Sequence, residues 1–271
     1  MILAIEHKCM SAFVRMYEKD SAGMRPSTKV EHTSPVKKGS TAILPLHGYL
    51  DQHPSVFLDL VGGTSTAQLA SDMRDLAEDS SVGAILLHVN SPGGSVAGVQ
   101  EAAEVVRQVG KRKPVVAQVD SLAASAAYWI ASQANQVYAS PGAGVGGIGV
   151  YLLHQDLSEL YEREGVRPTY IYEGKYKVEG NPTEPLSEDA LEHFQSMVSN
   201  QYYKFVNDVA KGRQVSVEKA LDSFGQGRVV EVDTAQAVGM IDGVRSFYDT
   251  LRVGFGLKSN NNKRRRLAIL K

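Results

Sequence analysis

The sequence predicts an α/β fold with a mostly parallel sheet flanked by helices. Three short apolar runs have the length of buried strands: Thr41–His47, Val82–Val89 and Val115–Val119. Each is followed by a segment of helical character: Thr66–Glu78, Val99–Gln108 and the alanine-rich stretch after Ser125. Strands that alternate with helices favour parallel pairing through right-handed crossovers.

Composition and charge are those of an ordinary globular protein. The 271 residues are 43% apolar and 22% charged, which suits one large α/β domain or two small ones with a substantial core. A net charge of −1 gives no reason to expect nucleic acid as a partner of the whole molecule. The single cysteine, Cys9, excludes an internal disulfide, and no cluster of cysteine and histidine indicates a metal or another cofactor.

No segment has the pattern of a signal peptide or a membrane span. Charged residues interrupt the stretch Met1–Lys8 too early for a signal peptide. No stretch approaches the length of about 20 apolar residues that crosses a bilayer. We therefore expect a cytoplasmic protein without a membrane anchor.

The two ends of the chain differ in character from its middle. Residues 1–40 are predicted to be an extension and linker, with a short amphipathic helix over 1–27 and a linker over 28–40. Residues 251–271 are predicted to be a basic, flexible tail, and this solvated end is favoured over a contact with nucleic acid or an acidic partner. The folded domain is predicted to span residues 41–250.

Turn and capping residues divide the first half of this domain. Gly48 is predicted to end the first strand, and residues 50–63 to form a loop. Ser65 or Thr66 is predicted to cap the next helix. The stretch Ser91–Gly94 is predicted to be a loop between the second strand and its helix.

The second half continues the alternation. Short apolar runs predict strands at Gln136–Ala139, Val150–Leu153, Thr169–Tyr172 and Val229–Val232. Helical spacing predicts helices at Asp156–Glu164, Ser187 to about Lys211, Val217–Ser223 and Asp233–Val238. A glycine-rich turn at Pro141–Gly149 and a loop at Glu173–Pro185 separate them.

Ser125 lies where the third strand meets its helix. A serine at such a turn projects its hydroxyl from a sharp bend, and the helix start offers free N–H groups to a developing anion. The alternative is an alanine- and serine-rich helix that merely packs closely, because the Gly-x-Ser-x-Gly frame of a nucleophile elbow is missing.

The stretch Ser91–Gly94 (Ser-Pro-Gly-Gly) is a candidate oxyanion-binding loop. Proline fixes the turn, and two glycines let backbone N–H groups approach a bound carbonyl. One well-placed donor of this kind is worth about 3–4 kcal/mol. An ordinary strand-to-helix turn would have the same composition.

A serine nucleophile needs a base, and the residues alone leave several candidates. On position these are His47, His53, His88, His154, Lys175 and Lys177. A lysine qualifies when burial disfavours its charged form, although most lysines in loops are solvated.

Three motifs in order resemble the signal peptide peptidase A family. They are Asn90–Gly94 (Asn-Ser-Pro-Gly-Gly), Ala123–Tyr128 (Ala-Ala-Ser-x-x-Tyr) and Gly174–Lys177 (Gly-x-Tyr-Lys). The resemblance covers roughly residues 40–245 and implies the Clp-protease/crotonase fold of repeated ββα units with a serine/lysine dyad. Within the family, Gly174–Pro182 is most similar to the bacteriophage capsid-assembly (prohead) proteases.

This resemblance implies roles for particular residues. Ser125 would be the nucleophile and Lys177 the general base, with the oxyanion held by the N–H of Gly93 or Gly94 and by that of Ala126. Many members have Gly-Gly after the serine where this chain has two alanines, and many have Gly-Ser-Ile-Gly where it has Gly146–Gly149. His154 is the alternative base, because its surroundings are similar to the Clp-protease segment that carries a catalytic histidine.

The implied function is a serine endopeptidase that processes scaffold or other head proteins during phage capsid assembly. The resemblance also implies a homo-oligomeric ring, with portal and capsid proteins as candidate partners inside the procapsid. The alternatives are a cellular peptidase that degrades membrane-protein remnants and a non-catalytic assembly module of the same fold. A crotonase-type acyl-CoA enzyme would leave Ser125 and Lys177 unexplained.

Overall fold

The computed structural model describes residues 2–5 and 34–254. Its strands, in chain order, are β1 Ile2–Ile5, β2 Val36–Lys38, β3 Thr41–Asp51, β4 Thr64–Ser65, β5 Ala84–Ser95, β6 Val115–Ala124, β7 Gln136–Ala139, β8 Gly144–Gly146, β9 Tyr151–Leu152, β10 Val229–Glu231 and β11 Gly243–Val244.

The described helices separate these strands. They are α1 Val56–Leu60, α2 Thr66–Glu78, α3 Val99–Val109, α4 Ala126–Ala131, α5 Ser158–Arg163, α6 Glu188–Arg213, α7 Val217–Ser223, α8 Val232–Val238 and α9 Phe247–Gly254. Ser65 caps α2 by accepting a hydrogen bond from the N–H of Gln68.

The described strands join in one sheet whose central path is β10-β8-β6-β5-β1-β9. β3 pairs with β5, β5 with β6 and β6 with β7, all in parallel. The pairs that contain β1, β2 or β10 are antiparallel. The predicted α/β class, with a mostly parallel sheet flanked by helices, is confirmed.

Alternation along the strands gives the sheet two buried faces. One face packs against α2, α3 and α4 in the main core, where Leu44, Leu87 and Val119 are fully buried. The other face carries Leu86, Val116 and Tyr138, which pack with Phe247 and Leu251 of α9. Strands buried on both faces read as continuous apolar runs, which is why they were recognisable in the sequence.

Three predicted boundaries in the first half are wrong. β3 does not end at Gly48 but passes through it, because Gly48 has φ 62° and forms an irregularity in the pairing with β5. The predicted loop at 50–63 contains α1. The Ser91–Gly94 stretch is the end of β5 rather than a loop, since backbone partners remain available there.

Two further elements differ from the prediction. Thr169–Tyr172 is not a strand, and the Ile171 side chain is 98% exposed. The predicted helix at 1–27 is wrong over Ile2–Ile5, which form β1, and the remainder lies outside the described residues.

The division into domains stays a prediction. β2 lies within the predicted linker, and α9 runs across position 250. The tail beyond residue 254 is outside the described residues. Over the described ranges, no helix combines the length and apolar character needed to cross a bilayer.

Candidate active site

Ser125 sits at the bend between β6 and α4 in a backbone conformation that side-chain-bearing residues rarely adopt. Its φ is 55° and its ψ is −123°. By contrast Gln214, with φ 54° and ψ 41°, is an ordinary left-handed residue at the end of a helix. Conformations such as that of Ser125 cost of order 1–3 kcal/mol and cluster at functional sites. The bend is therefore a strained strand-to-helix turn, formed without the Gly-x-Ser-x-Gly frame.

Backbone hydrogen bonds fix this strained residue from both sides. The Ser125 N–H donates to the Gly146 carbonyl oxygen at 2.7 Å, and the Trp129 N–H donates to the Ser125 carbonyl oxygen at 2.9 Å. A Cβ on Gly147 would lie only 3.1 Å from the Ser125 nitrogen. The glycine-rich turn therefore packs directly on the serine.

The helix that follows the serine is anchored in the core. The Trp129 ring stacks on Phe205 of α6, with centroids 4.5 Å apart and planes 7° apart, and Trp129 Nε1 donates to Asp208 Oδ2 at 3.0 Å. The buried Tyr128 hydroxyl donates to the Met240 carbonyl oxygen at 2.8 Å, and burial raises the pKa of Tyr128 well above its usual value. Ser125 thus precedes a helix that stacking and two side-chain hydrogen bonds fix in the core.

Two of the candidate oxyanion donors, Gly93 and Gly94, lie on β5, and the third, Ala126, directly follows Ser125. Ser91 of β5 is paired with Ala123 of β6. Gly93 lies two residues beyond Ser91 on β5, and Ser125 lies two residues beyond Ala123, at the bend that follows β6. Ala126 is fully buried at the first position of α4, where a helix N–H has no partner within the helix.

The Gly93 amide is already engaged. It donates to Ser91 Oγ at 3.1 Å, and Ser91 Oγ in turn donates to the Gly48 carbonyl oxygen at 2.6 Å. A Cβ on Gly94 would lie 1.9 Å from the Leu50 carbonyl oxygen, so this position packs tightly against β3. Gly93 has φ 93° and could not easily be another residue.

Lys177 forms no hydrogen bond with these groups in the part of the chain that the structure describes. It belongs to the turn at residues 173–180, where its N–H donates to the Gly174 carbonyl oxygen at 2.9 Å and its side chain is exposed. The Ser125 hydroxyl donates instead to the Gly149 carbonyl oxygen at 3.4 Å. Within the described residues, no hydrogen bond joins Ser125 to Lys177 or to His154.

The other candidate bases have separate surroundings. His154 Nε2 lies 3.0 Å from the Asn181 carbonyl oxygen, which ties the segment after β9 to the turn that carries Lys177. Lys175 is exposed, and its hydrogen bond to Tyr176 raises its pKa, so it stays charged. His53 is also exposed.

His47 and His88 form a pair on the α9 face of the sheet. His47 Nε2 lies 3.2 Å from His88 Nδ1, and the His88 ring packs 4.5 Å from Phe247. Burial lowers the pKa of both rings, that of His88 to about 4. Inspection of the described ranges reveals no group of three or more histidine, cysteine or acidic side chains able to hold a metal ion.

The pairing of β1 beside the site was not predicted. β1 lies between the end of β5 and β9, with Ile5 paired to Gly93 and Leu3 paired to both Ser95 and Tyr151. An extended segment therefore fills the groove between these two strands. The run Ile-Leu-Ala-Ile is too short to distinguish a strand from a helix by its pattern, so only a long-range pairing could identify it.

Comparison with known proteins identifies several relatives of this chain. The chain is 36% identical over 180 residues to a protein of Methanocaldococcus jannaschii that carries a protease name, covering 66% of this chain and 58% of that protein. It is 31% identical over 212 residues to capsid assembly protease C of Escherichia phage lambda, covering 78% of this chain and 48% of that protein. The chain thus spans about half the length of these relatives.

Among solved structures, a mutant of ClpP1 from Listeria monocytogenes is similar, with a TM-score of 0.47 and 16% identity, over 77% of this chain and 94% of that one. The model of "Peptidase family S49" matches residues 107–254, which include the Ser125 bend and the Lys177 turn and make up more than half of the sequence. The chain belongs to Peptidase family S49.

Proposed function

We propose that this protein is a serine endopeptidase in which Ser125 is the nucleophile. The observation that carries the proposal is the strained backbone of Ser125, with φ 55° and ψ −123° at a rigid strand-to-helix bend. A merely structural serine gains nothing from such a conformation, whereas a nucleophile gains a hydroxyl that projects from the bend.

The proposed reaction is acyl transfer through Ser125 Oγ. The oxygen attacks the scissile carbonyl while its proton passes to the Lys177 amine, and the N–H groups of Ala126 and of Gly93 or Gly94 bind the oxyanion. Lys177 then protonates the leaving amine. Water hydrolyses the ester to release the second product and restore the serine.

Two movements must complete this site. The Gly93 amide has to turn away from Ser91 Oγ, and Lys177 has to reach Ser125. Burial disfavours the charged form of a lysine, so an exposed Lys177 becomes a better base when the site closes around it.

We propose that assembly brings Lys177 into place from a neighbouring copy. Large apolar side chains are exposed around its turn and along α5 and α6: Leu153, Leu160, Val166, Tyr170, Ile171, Tyr172, Tyr176 and Leu191. Such a concentration marks an interaction surface. A homo-oligomeric ring would bury it and would keep a single chain inactive.

The proposed substrates are scaffold or other head proteins of an assembling phage procapsid in the host cytoplasm. The support is the similarity to capsid assembly protease C of phage lambda, which extends over 78% of this chain. Portal and capsid proteins are the expected partners. The peptidase unit would comprise residues 41–250.

The test is cleavage of casein and of co-expressed head proteins by matched variants. Ser125→Ala should abolish cleavage, whereas Ser223→Ala, at an exposed serine near the end of α7, should retain it. Both proteins should show the wild-type circular dichroism spectrum. Wild type that cleaves neither substrate in its assembled state would contradict the proposal and favour a non-catalytic assembly module.

A further inference from the structure

The segment Ile2–Ile5 pairs with the end of β5, next to the strand that leads to Ser125. Gly93 is paired with Tyr49 of β3 on one side and with Ile5 of β1 on the other. Nearer the start of β5, the side opposite β3 is occupied by β6, whose last pairing is Ala123 with Ser91. β1 therefore pairs with the same edge of β5 beyond the point at which β6 stops pairing with it, next to the Ser125 bend.

The direction of β1 is that of a peptide approaching the nucleophile. Its pairing partners change from Ser95 at Leu3 to Gly94 at Ala4 and Gly93 at Ile5. The segment thus runs antiparallel to β5 and advances towards Gly93 from its N- to its C-terminal end. We expect a substrate peptide in the same place to have the same polarity.

Both edges of this short strand are occupied. β5 pairs with it on one side, and Tyr151 and Leu152 of β9 pair with it on the other. Addition of an extended peptide to open sheet edges gains main-chain hydrogen bonds that do not depend on the peptide sequence. The groove between β5 and β9 thus has the backbone groups to hold a second peptide in the same way, once β1 is absent.

We propose that Ile2–Ile5 is a built-in occupant of this groove that masks Ser125 until it is displaced; the masking of activity rests on the proposed function above. The segment and the groove belong to one chain, so the occupant competes as if it were present at about millimolar concentration. The proposed catalytic groups near this segment have other partners, because the Gly93 amide donates to Ser91 Oγ and the Ser125 hydroxyl donates to the Gly149 carbonyl oxygen.

A disulfide test of the register needs no activity. In a Cys9→Ser background, Ile2→Cys with Leu152→Cys joins residues that are directly opposite in the ladder, where Cβ atoms approach to about 4.5–5.5 Å and small adjustments close a disulfide. Ile2→Cys with Leu153→Cys is the matched control, because its second cysteine is one residue out of register. Mild oxidation should cross-link the first pair and spare the second. Equal cross-linking of both pairs, or of neither, would overturn the proposal.

The masking itself is tested by binding and by cleavage. Leu3→Pro removes a ladder N–H, whereas Leu3→Val keeps it. In a Ser125→Ala background, a fluorescein-labelled peptide with the sequence of residues 1–8 should bind the Leu3→Pro protein at least roughly tenfold more tightly than the Leu3→Val protein. Equal affinities would overturn masking.

For the active protein, kcat/KM should be at least roughly tenfold higher in Leu3→Pro than in Leu3→Val. Equal values, or removal of the segment by self-cleavage in the resting wild type, would contradict masking. If no variant cleaves anything, the proposed peptidase function fails, while the cross-linking and peptide-binding results still decide whether the groove is occupied.

Discussion

The hydroxyl of Ser125 donates a hydrogen bond to the carbonyl oxygen of Gly149 at 3.4 Å. A backbone carbonyl accepts a hydrogen bond but cannot take the proton, so this partner holds the serine without activating it. Within the described residues the Ser125 hydroxyl therefore has no hydrogen bond to a basic side chain, and in the proposed mechanism Lys177 supplies that base.

The stabilities of two variants at Ser125 should measure the backbone strain at this position. Ser125→Gly removes the cost of holding a side chain at φ 55°, so we expect it to be more stable than Ser125→Ala by about 1 kcal/mol. That difference corresponds to about 2–4 °C in Tm for a domain of this size. Calorimetry on the two inactive variants measures it, and equal Tm values would mean that the turn is relaxed.

Mixing two inactive variants should restore activity if the dyad joins neighbouring copies. Random co-assembly of Ser125→Ala and Lys177→Ala subunits should restore about one quarter of wild-type activity, because half of the serines and half of the facing lysines remain. Each variant alone should be inactive, and Lys175→Ala should be active because Lys175 has no role in the proposed dyad. A mixture as inactive as its components would show that both residues act within one chain.

The contact between Trp129 and Phe205 should stabilise the helix behind the nucleophile. Phe205→Ala removes a fully buried ring and should destabilise the protein by about 3–5 kcal/mol. Lys204→Ala, on the exposed side of the same helix, should change stability by less than about 0.5 kcal/mol. Trp129 is the chain's one tryptophan, so its fluorescence during urea unfolding measures both variants.

Burial of His88 should make the protein less stable in acid. Burial, with a smaller effect from the charge of His47, lowers its pKa to about 4, although Asp120 acts in the opposite direction. His88 binds a proton at about pH 6.5 in the unfolded chain but only near pH 4 in the folded protein. The contribution of neutral His88 to the free energy of unfolding is therefore complete above pH 6.5 and is lost as the pH falls to 4. The loss is about 3 kcal/mol.

His88→Leu should remove most of this dependence, and His193→Gln, at an exposed histidine on α6, should not. Urea unfolding at several pH values between 7 and 4 provides the comparison. An unchanged slope in His88→Leu would place the titrating group elsewhere; the first candidate is then His47, whose pKa is also lowered.

Local signals in the sequence were sufficient for elements whose ends are set by local chemistry. α7 lies where a helix is predicted near Val217–Ser223, and Ser216 caps it; the strand Gln136–Ala139 has the predicted bounds. Ser125 and its place at a strand-to-helix turn were likewise predictable. The strain at Ser125 was not, because the groups packed against it, Gly146 of β8 and the adjacent Gly147, lie about 20 residues further along the chain.

The elements that were predicted wrongly depend on pairing between distant parts of the chain. Gly93 and Gly94 have turn composition, yet they extend β5 because β3 and β1 supply partners on both sides. Thr169–Tyr172 has strand composition, yet it forms no strand and stays exposed. The approach of Lys177 to Ser125 depends on contacts beyond a single chain in the account proposed here, so neither composition nor spacing could reveal it.

The most direct test of the central claim is to locate the acyl group during turnover. The assembled enzyme is quenched with acid while it hydrolyses a slow peptide ester, then digested and mapped by mass spectrometry. We expect an acyl adduct on the peptide that contains Ser125, absent from Ser125→Ala and Lys177→Ala and present in His154→Ala. An adduct on another residue, or cleavage that survives Ser125→Ala, would contradict it. An adduct lost in His154→Ala but kept in Lys177→Ala would make His154 the base.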